Sequence, residues 1–140
     1  MVFNINDFLA DPKNLHDAAR LPDRTVRYRQ PIRCADGLSF SVQANSMAYC
    51  MPRNDDGPYT AVEVGFPSQR VEELMEYAED PDNPTETVYG YVPVAVIEEI
   101  VNAHGGRVPG PPGILDSIGQ IRREAKFKLA RIDNPNQIFN

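Results

Sequence analysis

Thirteen prolines are spread along the 140 residues of this chain, and their spacing limits every regular element to short length. Proline lacks the amide proton that a helix interior or a central strand needs, and its ring clashes with the preceding helical turn. Only short helices and strands joined by turns fit between these positions. A chain of this size makes one domain whose core is stable without metal or disulfides, and at 41% hydrophobic residues it is globular rather than disordered.

Several elements follow from local pattern. Asp11-Pro12 followed by Lys13–Arg20 predicts a short helix, with Asp11 at the N-cap and Pro12 in the first helical position. Thr25–Arg29 alternates as a strand. Leu38, Phe40 and Val42 alternate with Ser39, Ser41 and Gln43 in a period of two, and Asp36-Gly37 supplies the turn of a hairpin between the two runs. A turn at Asn54–Pro58 leads into a strand over Tyr59–Phe66, with Val62, Val64 and Phe66 on one face, and Val88–Val92 is a further short strand. Ser68 caps a helix running to about Glu79, with Val71, Leu74, Met75 and Ala78 inward and Glu72, Glu73, Glu76 and Glu79 outward. A second helix starts at Pro93 and stops before Gly105-Gly106, with Ile97, Ile100, Val101 and His104 inward and Glu98 and Glu99 outward. Between the helices, Asp80-Pro81-Asp82-Asn83-Pro84-Thr85 forms a rigid acidic loop.

The chain changes character after Gly106. Residues 107–113 (Arg-Val-Pro-Gly-Pro-Pro-Gly) form a Pro/Gly linker, extended where the prolines dominate. Ile114–Arg131 reads as an amphipathic helical arm, with Ile114, Ile118, Ile121, Ala125 and Leu129 on one stripe and Arg122, Arg123, Lys126 and Lys128 making it basic. The expected fold is therefore α+β. Residues 1–106 hold a small antiparallel sheet of about four strands with two or three packed helices, and residues 114–140 are a C-terminal arm and tail.

Charge is unevenly laid out. Residues 34–104 hold thirteen acidic and two basic residues, whereas both flanking segments are net positive. The overall −6 argues against a general nucleic-acid binder, which needs a basic footprint. The longest apolar stretch, Val92–Ile97, is broken by Pro93 and is far short of the ~20 residues that span a bilayer. The first residues have neither a basic n-region nor an apolar h-region, so no secretory signal is expected. A reducing compartment then keeps Cys34 and Cys50 as thiols, with a bridge between them the minority reading.

Chemistry-bearing constellations are sparse. No Cys-x-x-Cys or closely spaced histidine pair supplies zinc ligands around Cys34, Cys50, His16 and His104. A calcium loop starting at Asp80 fails, because position six is Thr85 and position twelve is Tyr91. The glycines of residues 105–113 are not followed by Gly-Lys-Ser/Thr, so they form no phosphate loop. His104 reads as a packed helix-end histidine favoured by the helix dipole, not as a general base. Paired glutamates such as Glu72/Glu76 and Glu98/Glu99 read as solvated helix faces. The aromatic set Tyr49, Tyr59, Tyr77, Tyr89 and Tyr91 is more suggestive, and within it Tyr89-Gly90-Tyr91 places both rings on one strand face, either as a binding surface or as a sheet face packed under a helix.

The stretches Pro58–Ser68, Tyr77–Pro81 and Thr87–Pro93 resemble small uncharacterised proteins of tailed bacteriophages, over roughly residues 5–106. The resemblance brings no catalytic residues with it. It implies a virion part or an inhibitor of host machinery, located in the host cytoplasm or the virion.

The expectation is a non-enzymatic protein–protein interaction protein, a phage virion or assembly component that docks its arm on a neighbour. The partner is a protein or a further copy, without cofactor or metal, without membrane and without direct nucleic-acid binding. The expected contacts are Glu72, Glu73, Glu76, Glu79, Asp80, Asp82, Tyr89, Tyr91, Ile118, Ile121, Arg122, Arg123 and Lys126. The alternative is an inhibitor whose acidic surface imitates nucleic acid on a host nucleic-acid-handling protein. A second alternative is a small carboxylate-based enzyme.

Overall fold

In a computed structural model of the chain, the structure describes residues 2–21 and 24–108, with residues 16–27 described by their backbone alone. The arm expected over 114–131, with Ile118, Ile121, Arg122, Arg123 and Lys126, lies outside the described residues. Helix α1 (Ile5–Ala10) is followed by a 3-10 turn (Pro12–Asn14) and an antiparallel ribbon of β1 (Leu15–Leu21) and β2 (Arg24–Arg29). A four-stranded antiparallel sheet follows, made of β3 (Ile32–Arg33), β4 (Ser39–Gln43), β5 (Ala61–Gly65) and β6 (Val88–Pro93) in that spatial order. A 3-10 helix (Glu72–Tyr77) lies between β5 and β6, and α2 (Val94–Ala103) follows β6 directly. This is the expected α+β arrangement.

One face of the sheet builds the core. Phe40 and Val42 of β4, Val62 and Val64 of β5, and Tyr89 and Val92 of β6 are buried with Ile5, Phe8 and Leu9 of α1, with Leu74, and with Ile97, Ile100 and Val101 of α2. The period-two runs at Leu38–Val42 and Val62–Val64 therefore point inward as predicted. The opposite face holds Ser41, Gln43 and Glu63, all 1% exposed. Gln43 acts there as a substitute peptide group. Its Oε1 accepts from Arg29 N at 2.9 Å and its Nε2 donates to Arg29 O at 3.0 Å, which fastens the ribbon to the sheet.

Three local expectations give way to longer-range pairing. The helix predicted over 11–20 forms only its first turn. Asp11 does cap it, accepting from Lys13 N at 3.0 Å. Beyond Asn14 the chain becomes β1, because Gln30 N donates to Asn14 O at 2.7 Å and Leu15 pairs with Arg29. The Thr25–Arg29 strand thus pairs with β1, and the Asp36-Gly37 turn joins β4 to β3 instead. Ser68 is not a helix cap. Its N donates to Ser39 O at 2.8 Å and its Oγ accepts from Ser39 N at 3.0 Å, so it prolongs the pairing along β4 beyond the end of β5. The helix after it starts at Glu72 and is 3-10, which brings Val71, Leu74 and Tyr77 onto one side at a spacing of three.

The sequence pattern passed over α1, which Asn4 opens by accepting from Asp7 N at 3.0 Å. This helix is tied to distant residues. Ile5 N donates to Glu98 Oε2 at 3.0 Å, and Asn6 exchanges two hydrogen bonds with the backbone of Tyr59. The end of α2 is where Gly105-Gly106 predicts it. Gly105 N bonds Asn102 O at 3.2 Å and Gly106 N bonds Val101 O at 2.9 Å, the paired closure of a Schellman motif. Gly105 has φ +92°, and a Cβ there would lie 2.9 Å from Ala35 Cβ. Gly105→Ala is expected to cost about 1–2 kcal/mol, from the left-handed backbone and the close approach together. The check is a lower denaturant midpoint at unchanged slope; an unmoved midpoint would contradict the packing of this turn on Ala35.

The chain stays ordered past the turn. Arg107 bridges to Cys34, Val108 N donates to Arg33 O at 2.8 Å, and the Arg107 guanidinium lies 4.7 Å from the Phe8 ring centre and donates to Asn14 Oδ1 at 3.2 Å. Residues 107–108 therefore run along the outer side of β3.

Candidate functional site

Tyr49 and Tyr91 form an aromatic pair at the surface, with ring centres 5.8 Å apart and planes inclined by 48°. Tyr91 is 38% exposed and Tyr49 is half-buried. The Arg53 guanidinium stands 5.5 Å from the Tyr49 ring centre. Met51 is exposed between Tyr49 and Arg53 in the chain, and its backbone pairs with Ala61. Tyrosine, arginine and methionine are the side chains enriched where proteins meet.

The backbone beneath the pair is fixed. Tyr91 N donates to Tyr49 O at 3.1 Å, and Tyr49 N donates to Oε1 of buried Glu63 at 3.2 Å. The turn before Tyr49 is closed by Asn45, whose side chain accepts from Met47 N at 2.8 Å, and by the Cys50 thiol, which donates to Asn45 O at 3.2 Å. Tyr91 owes its outward direction to a bulge. Val64 pairs with Tyr89 and Val62 with Val92, so one residue of β5 faces two of β6, and Tyr91 takes φ +54°. The extra residue breaks the alternation, so Tyr89 and Tyr91 do not share a face. Tyr89 is fully buried, with its hydroxyl donating to Pro84 O, and is unavailable as the contact expected from sequence.

The acidic centre divides into two sets. At least five carboxylates accept from main-chain N–H groups within the domain: Asp36 from Leu38, Asp55 from Ser46, Glu63 from Tyr49, Asp80 from Asp82 and Glu98 from Ile5. Glu98 is thus turned inward to α1, against the expected outward direction. Asp80 also accepts from Asn83 Nδ2 at 2.8 Å and braces the proline-containing loop from within. The expected contacts Glu72, Glu73, Glu76 and Asp82 are exposed, and Glu72 pairs with Arg70 at 2.5 Å. Such an exposed ion pair adds little stability.

Glu79 departs from the outward face assigned to it. It follows the 3-10 helix, its N donates to Val88 O at 3.0 Å, and both carboxylate oxygens are buried. Burial first, then the charges of Glu63 and Asp80, push its pKa from the ordinary 4.5 up to about 7. The sign of the linkage follows. Below about pH 4.5 the folded and unfolded chains both carry this proton. Between there and about 7 only the unfolded chain loses it, so stability falls as pH rises. Glu79→Gln is expected to flatten that fall by roughly 2 kcal/mol, allowing for partial solvent access. Urea unfolding of both proteins at pH 4.5 and 8 measures it, and equal pH slopes would refute it.

The remaining candidates pair or are buried within the domain. His104 Nδ1 lies 2.5 Å from Asp36 Oδ2 and joins the end of α2 to the β3–β4 turn. The Leu38 N–H and then His104 hold the Asp36 carboxyl below its usual range. Cys34 and Cys50 are buried free thiols, so the bridge is not formed. Burial is the main cause raising both pKa values, that of Cys34 to about 11, which keeps them protonated and weakly nucleophilic. Among the described residues, no three His, Cys, Asp or Glu side chains gather as metal ligands, and no helix is long and apolar enough to cross a membrane. No protein-family model matches this chain, and no curated protein or solved structure matches it significantly.

Proposed function

We propose that this chain is a non-enzymatic association protein that docks on a neighbouring subunit, in a phage particle or its assembly. The observation that carries the proposal is the surface of exposed Tyr91 and Arg53 with half-buried Tyr49, where main-chain hydrogen bonds fix the backbone under the two tyrosines. A backbone held in place before contact loses little entropy on binding, so it suits an interface. The resemblance to tailed-phage proteins supports the setting, and the residues after Val108 supply the docking arm. A chain ending at Val108 keeps the Arg107 and Val108 contacts with β3, Phe8 and Asn14. By sedimentation, the full chain is expected to self-associate and the shortened one to remain a monomer. The same mass for both would overturn the proposal.

The exposed Glu72, Glu73, Glu76 and Asp82, beside a loop braced by Asp80, favour nucleic-acid mimicry as the second reading. Charge reversal of Glu72, Glu73 and Glu76 would then abolish binding to a basic nucleic-acid enzyme.

A further inference from the structure

We draw no further inference here: the strongest candidate, the surface patch that Tyr91 of β6 forms with Tyr49 and Arg53 of the preceding loop, carries nothing, because nothing in the structure shows what covers it.

Discussion

Phe40→Ala is expected to lower the unfolding free energy by about 3–5 kcal/mol, the largest single loss foreseen in the domain. Phe40 is fully buried in β4, in one core cluster with side chains from both helices and the neighbouring strands. Truncation removes the transfer free energy of the ring and leaves a cavity. Strands hydrogen-bonded on both sides have little freedom to collapse into it. Natural domains are stable by only about 5–15 kcal/mol, so the variant stands near the limit of folding. Urea denaturation monitored by circular dichroism measures the change. Phe40→Leu, which fills most of the space, is expected to recover more than half of it, and a loss below about 1 kcal/mol for the alanine would contradict the core described above.

Arg29→Ala is expected to cost about 3 kcal/mol through a different route. Arg29 is 9% exposed, and its guanidinium donates to Leu9 O at 3.1 Å and to Ala44 O at 2.6 Å. It ties the end of α1 to the end of β4 at the base of the ribbon. Burial lowers its pKa, but the group stays charged because its ordinary value is so high. Removing it leaves two carbonyls without their donor in a space closed to water, and the penalty comes from those carbonyls more than from the lost contact. Arg29→Lys should recover only part of the loss, since a single ammonium cannot reproduce the fork that spans both acceptors. Full recovery by lysine would show that charge, not geometry, is what the site requires.

The sequence revealed most where a residue's role depends on near neighbours. The alternation through Phe40 and Val42 located β4, and Gly105-Gly106 marked the close of α2, which ends at Ala103 with His104 as its cap. Asn4 ahead of Asp7 was a legible cap for α1, overlooked because Asp11-Pro12 is the stronger start signal nearby. Other features depend on partners far along the chain. Leu15 is a strand residue because Arg29 lies opposite it. Ser68 bonds to a strand residue twenty-nine positions away. Glu79 and Glu98 read as outward-facing carboxylates, since no local pattern marks a glutamate that turns inward. At the candidate site, Tyr91 was legible as a contact and Tyr89 was not separable from it, because a bulge leaves no mark in the period of the strand. Tyr49 was legible only as one of an aromatic set and Arg53 not at all, for their place beside Tyr91 depends on a loop that Glu63 holds through Tyr49 N.

The ties between the first and last described elements bear on how this domain gives way. Ile5 is held by Glu98, Phe8 by Arg107, and Asn14 by both Gln30 and Arg107. Neither end can peel off by itself, because releasing one strips partners from the other. Most small domains fray at their termini long before they unfold. Here the seam between α1 and the strand end at Arg107 joins the cooperative unit, so a processive protease that reaches either of them meets the resistance of the whole core.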